Sequence, residues 1–126
     1  MGFDVNHKWI DPILQTPLTK GEVGCFLSHW KAWKQCIKAN EPCLILEDDA
    51  IITDKFSYDD LYKLRREGYN FVYLGWKEME KSIPINEKYV KPVYPYWGLA
   101  YMITPESAKI LTQGHIIRNI IPVDEY

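Results

Sequence analysis

Cysteine is scarce in this chain of 126 residues: there are three, and none stands in a Cys-x-x-Cys pair. That spacing excludes a zinc ribbon and a dithiol redox motif. Cys25 and Cys36 fall on one expected helix, ~16 Å apart along its axis, too far to bridge. An odd count of this kind fits a reducing, cytoplasmic setting, with each thiol packed as a small apolar side chain. Long hydrophobic runs are also missing. No stretch approaches the ~20 apolar residues needed to cross a bilayer, so no transmembrane segment is expected. Residues 1–9 lack the basic start and apolar core of a secretion signal. An excess of positive charge is absent too: 15 Lys and Arg stand against 17 Asp and Glu, for a net charge of −2. With the basic residues scattered, nothing tracks a phosphate backbone, and nucleic acid is excluded as the expected partner. There is no internal repeat and no low-complexity segment.

What remains is ordinary globular material, 47% hydrophobic and 25% charged. Its length suits a single domain over residues 1–126. Thr19, three residues before Glu22, forms a capping-box signature that opens a helix. Val23, Phe26, Leu27, Trp30, Trp33 and Ile37 follow at helical spacing and mark its core face. Asn40-Glu41-Pro42 ends the helix, and the apolar run Cys43 to Leu46 reads as a buried strand. A second helix is expected from Tyr58 to Arg66, closed by Gly68 in the left-handed position, followed by a strand from Phe71 to Leu74. Ile83 to Tyr96 holds three prolines and is expected to be a loop, with one short edge strand at Tyr89 to Val93. A further strand covers Trp97 to Ile103. Thr104-Pro105-Glu106 then opens a third helix, with Gly114 as its stop. Alternating strands and helices predict an α/β layer with several parallel strands.

Glu47-Asp48-Asp49 interrupts this pattern between two apolar runs, at the carboxyl end of the first strand, where ligands of such sheets gather. Three adjacent carboxylates repel one another, and a bound cation relieves that repulsion. On an extended chain Glu47 and Asp49 would point to one side and Asp48 to the other, giving a pair of oxygen donors suited to magnesium or manganese. The competing reading is a plain solvated turn after Leu46, which the bare tripeptide favours.

The ordered block Leu18-Thr19-Lys20-Gly21-Glu22-Val23-Gly24-Cys25-Phe26-Leu27-Ser28-His29, then Leu44-Ile45-Leu46-Glu47-Asp48-Asp49, resembles glycosyltransferase family 25. Trp97-Gly98-Leu99-Ala100-Tyr101-Met102-Ile103 and Pro122-Val123-Asp124 are similar to later blocks of that family in the same order. The family includes lipooligosaccharide and collagen galactosyltransferases. The resemblance implies a GT-A-like sheet flanked by helices that binds a nucleotide sugar, with a UDP-sugar donor, a manganese or magnesium ion, and a hydroxyl acceptor on a glycan or protein. It carries the metal motif onto Glu47 and Asp49, the ribose or donor sugar onto Asp48, and the donor pocket onto Glu22, Ser28 and His29. Asp124 becomes the expected base of an inverting transfer, and a lipopolysaccharide-type pathway is one setting. Nothing before Leu18 resembles the family's usual apolar first strand. The second reading is therefore a noncatalytic module of the same fold, or one whose nucleotide site a partner chain completes. A metal-dependent phosphoesterase would need further organised His and Asp ligands, which the isolated histidines do not provide.

Overall fold

The computed structural model describes residues 2–126, except for the side chain of Trp97. In chain order its elements are α1 (Lys20–Ala39), β1 (Cys43–Leu46), α2 (Tyr58–Arg66), β2 (Phe71–Glu78), β3 (Ile83–Pro84), β4 (Val90–Lys91), β5 (Pro95–Ile103), α3 (Pro105–Leu111), α4 (Gly114–Ile117) and a 3-10 turn, Val123–Glu125. They form two compact units. One comprises Met1–Pro42 with Thr104–Tyr126, and the other Cys43–Ile103.

The first unit is built around α1. Thr19 and Glu22 cap it reciprocally: the Thr19 hydroxyl accepts from the Glu22 N–H, while the Glu22 carboxylate accepts from the Thr19 N–H at 2.7 Å. Such a cap satisfies two donors that a helix start otherwise leaves open, stabilising it by ~1 kcal/mol. At the other end Asn40 takes the left-handed conformation, φ 56°, and its N–H returns to the Cys36 carbonyl. The core face carries Phe26, Trp30, Trp33 and Cys36, all buried, and packs against α3 and the 3-10 turn. Phe26 meets Trp33 edge-on at 6.2 Å and lies 5.3 Å from the ring of Tyr126.

Among the described residues no strand precedes α1. Instead the first segment lies along the last one, through a parallel bridge between Val5 and Ile120 and hydrogen bonds from Asp4 N–H to Ile117 O and from Ile120 N–H to Asp4 O. The third helix begins as its sequence dictates, with Thr104 accepting from the Ser107 N–H and a proline in the first turn. It ends earlier than its stop signal suggests, at Leu111. Gly114 does not terminate it but opens the short α4.

The second unit holds a three-stranded sheet in the order β1-β5-β2 and a separate β3-β4 hairpin. Every pairing is antiparallel, which corrects the expectation of an α/β layer with several parallel strands. The physical reason is specific. Strands β1 and β2, linked through α2, do run in the same direction, since each is antiparallel to β5. The slot between them is filled by β5, arriving from the proline-rich stretch with the opposite sense. That stretch makes two short strands, where the sequence suggested one. Gly68 closes α2 with φ 94°, a conformation in which any Cβ is strained. Strand β2 runs on to Glu78, beyond its apolar stretch, because β5 offers it partners as far as Pro95, with register breaks on either side of Gly75.

Candidate functional site

The acidic tripeptide lies at the carboxyl end of β1, as the strand pattern predicts. Pairing with β5 ends at Leu46, which faces Ala100, and the Glu47 N–H makes one further bond to Leu99 O at 2.9 Å. The chain then folds back, with Ala50 N–H donating to Glu47 O at 3.1 Å. Asp48 and Asp49 are therefore the two central residues of a tight turn. The extended geometry, with Glu47 and Asp49 on one side, is not adopted: the ladder has no further partner to hold those residues flat. Glu47 is half-buried, while Asp48 and Asp49 are exposed. The turn carries three carboxylates, two of them open to water, and carboxylate oxygen is the donor type that magnesium and manganese prefer.

The other expected site residues belong to the first unit. The Glu22 carboxylate is committed to the α1 cap, where it also accepts from the Thr19 hydroxyl at 2.7 Å. Ser28 is exposed, and its hydroxyl donates to the Gly24 carbonyl one turn back at 3.0 Å. His29 is buried, its ring 6.2 Å from that of Trp33. As neighbours on a helix, Ser28 and His29 face different directions, and no nucleophile-base pair is formed. Asp124 lies half-buried in the 3-10 turn that packs on α1. The structure thus groups Glu47, Asp48 and Asp49 in one turn of one unit, and places Glu22, Ser28, His29 and Asp124 on packed elements of the other.

Two features have no local signal in the sequence. The first is the fixing of the Asp124 turn by Tyr126. Its hydroxyl donates to the Asn119 carbonyl at 2.8 Å and accepts from the Ile121 N–H at 3.3 Å. Burial pushes the Tyr126 phenol above its ordinary value of 10.0, partly offset by the Ile121 N–H. The second is a cavity of about 840 Å³ within the Cys43–Ile103 unit, between the sheet, α2 and the hairpin segment. An ion pair between Lys88 and Asp60 ties the hairpin to α2 at its wall, and Asp60 holds the Lys88 ammonium above its ordinary value of 10.5. Residues 28 positions apart make that pair, beyond the reach of any local motif. Trp76 also lines the cavity, with its indole N–H buried and without a hydrogen-bond partner among the described residues. Tyr94 and Tyr96 pack edge-on to each other at 6.2 Å.

The profile of Glycosyltransferase family 25 (LPS biosynthesis protein) matches residues 3–126, and the chain belongs to that family. A "Glycosyltransferase 25 family member" of Anopheles gambiae is 38% identical across all of this chain and 23% of its own length. The "Procollagen galactosyltransferase 2" of Homo sapiens is 34% identical over 92% of this chain and 20% of its own. The "Procollagen lysyl hydroxylase and glycosyltransferase" of Acanthamoeba polyphaga mimivirus is 35% identical over 94% and 14% respectively. The chain spans about a fifth of the length of the first of these relatives. No solved structure matches it. No helix is long and apolar enough to cross a membrane among the described residues.

Proposed function

We propose that the chain is the metal- and donor-binding part of a glycosyltransferase that moves a hexose, galactose by analogy with the relatives' names, from a UDP-sugar to a hydroxyl acceptor on a glycan or protein. The observation that carries this reading is the acidic turn Glu47-Asp48-Asp49, closed on itself at the carboxyl end of β1 in a family-25 chain. Glu47 and Asp49 would hold the divalent ion. When bound, that ion neutralises charge on the departing diphosphate.

The protein's own groups have separate tasks. Asp48, exposed in the turn, accepts hydrogen bonds from a ribose or donor-sugar hydroxyl on this reading. Asp124 serves as the general base. Its carboxylate takes the proton of the acceptor hydroxyl as that oxygen bonds to the anomeric carbon, while the bond from that carbon to the diphosphate breaks and UDP leaves with the electron pair. Half-burial in a turn fixed by Tyr126 limits the motion of that carboxylate, and a positioned base is what proton transfer requires.

Titration with UDP, with and without manganese, on the natural chain and on Asp49→Ala tests the reading. Binding that needs the metal and disappears in the variant is the expected result. Binding of equal strength in all four combinations would sink it. A second reading is a noncatalytic module of the same fold. It predicts the same metal-dependent UDP binding with no sugar transfer to any hydroxyl acceptor.

A further inference from the structure

The cavity in the Cys43–Ile103 unit adjoins the acidic turn: its lining takes in Leu46 just before the three acids and Ala50, Ile51 and Ile52 just after them. Ile51 is 86% exposed, so this end of the cavity is open to solvent. We propose that the cavity is the acceptor pocket, and that the acceptor it takes is an anionic saccharide, a sugar ring bearing a carboxylate or a phosphate. The acceptor role rests on the transferase reading above, whereas the binding chemistry stands on the lining itself. At about 840 Å³ the cavity falls in the size range of small-molecule sites, roughly 300–1,000 Å³.

Aromatic side chains recur along the lining. Phe56 precedes α2, Tyr69 follows it, Trp76 lies on β2 and Tyr89 precedes β4, and none of the four is fully buried. A pyranose presents C–H bonds on its faces and hydroxyls around its edge, so it packs flat on such rings while its hydroxyls reach polar groups or water. The uncommitted polar groups are donors. The Trp76 indole N–H is buried without an acceptor among the described residues, a deficit that a ligand oxygen would make good. Asp60 is the one acidic side chain of the lining among the described residues, and Lys88 is committed to it as a strap between α2 and the hairpin segment, and to the Tyr89 ring, 5.8 Å from its centre. Lys55 and Lys91, exposed on the same lining, join no ion pair among the described residues. On the transferase reading the ion at the turn meets the charge of the departing diphosphate. The two lysines are then left for a second anion, and the remaining substrate is the acceptor. An acceptor bearing an ammonium group would meet two like charges and no uncommitted carboxylate on the lining, and a neutral one would leave both lysines unmatched.

The test titrates the intact 126-residue chain with the methyl glycosides of glucuronic acid, glucose and glucosamine, which share a ring and differ in charge, and with glucose-6-phosphate. Each titration is run without metal or UDP and again with both. It is read from the indole N–H signals of a proton–nitrogen spectrum, with Trp76→Phe identifying the Trp76 signal. A second variant joins Lys55→Gln to Lys91→Gln, and circular dichroism checks that both variants are folded. The expected result is saturable binding of the glucuronide and the sugar phosphate that moves the Trp76 signal. Both should bind about tenfold tighter than the glucoside, as two partly exposed charge contacts can give, with the glucosaminide weakest. The lysine substitutions should bring the two anionic sugars down to the glucoside's affinity and leave the glucoside unchanged. Equal affinities for all four ligands, or affinities that ignore the lysines, would overturn the proposal. So would inorganic phosphate displacing the glucuronide at equal concentration, which marks a bare anion site, or metal-free UDP doing so, which marks a nucleotide site. If none of the sugars binds while UDP still binds with manganese, the pocket assignment falls and the transferase reading stands. If the glucuronide binds while UDP does not, the transferase reading falls and takes the acceptor role with it.

Discussion

The first half of α1 and the turn after β1 carry the polar residues to which family resemblance assigns the donor site, yet the two regions treat those residues differently. On α1 the fold already uses them: Glu22 closes the capping box, Ser28 bonds back to Gly24, and His29 is buried beside Trp33. In the turn, Asp48 and Asp49 occupy the two central positions with their side chains exposed. The contrast separates residues bonded within the fold from residues open to solvent. On the proposed reading it makes α1 chiefly a scaffold and the turn chiefly a site.

The sharpest way to break that division is through the one acid outside the turn that is given a chemical role. Asp124→Asn should lower the rate of sugar transfer by roughly 10²–10⁴-fold while leaving metal-dependent UDP binding intact, as measured by steady-state kinetics beside calorimetry. A loss of UDP binding with folding preserved would move Asp124 from base to ligand. Phe26→Ala comes next. Removing a ring that is 0% exposed, against Trp33 and Tyr126, should cost about 3–5 kcal/mol by denaturant unfolding. A cost under ~1 kcal/mol would mean that α1 is not the scaffold described.

Smaller effects sharpen the comparison. Glu22→Ala should cost about 1 kcal/mol through loss of the cap, whereas Glu22→Gln, which can still close a capping box, should restore stability and leave donor affinity unchanged. If Glu22→Gln keeps stability but weakens UDP-sugar binding, the carboxylate contacts the donor after all. Ser28→Ala should change stability by no more than ~0.5 kcal/mol, since a back-bonded helix serine adds little.

Alkaline titration supplies a check on the second unit. The Lys88 ammonium is raised above 10.5 by its hydrogen bond to Asp60, so the folded state holds that proton more tightly than the unfolded chain. Its contribution is complete below pH 10.5 and fades as pH rises through the higher folded value. The raised Tyr126 phenol acts with the same sign, beginning near pH 10.0, because the unfolded chain ionises first. Stability measured by urea unfolding should therefore fall above pH 10. In Asp60→Asn the Lys88 part of that fall should disappear, leaving the Tyr126 part.

Much of the fold could be read directly, and the reasons are local. Thr19 with Glu22, Asn40 before Glu41-Pro42, Gly68 after Arg66, and Thr104-Pro105 are helix boundaries set by backbone groups within a few residues, and each boundary lies where that chemistry puts it. Cys43–Leu46 is a strand where its apolar run put one, but none of its four residues is fully buried and Leu46 is exposed. Strand direction was not legible. The insertion of β5 between β1 and β2 depends on pairing across more than 50 positions, and no periodicity records which neighbour fills a slot. Gly114 misled for a related reason: a glycine signals a break, and here the break is the start of α4 rather than the end of α3. The candidate site divides in the same way. The acids were visible as an anomaly between apolar runs, but their turn follows from where the ladder with β5 runs out. Neither the Tyr126 anchor nor the Lys88–Asp60 strap has a local signature.

The most direct test of a cation at the acidic turn is paramagnetic. In an amide proton–nitrogen spectrum of the natural chain with UDP, substoichiometric manganese should broaden the signals of Glu47 to Ala50 first, and Asp49→Ala should abolish that broadening. Manganese that leaves those four amides sharp while bleaching signals elsewhere, or that acts identically on the variant, would contradict the assignment of the metal to this turn.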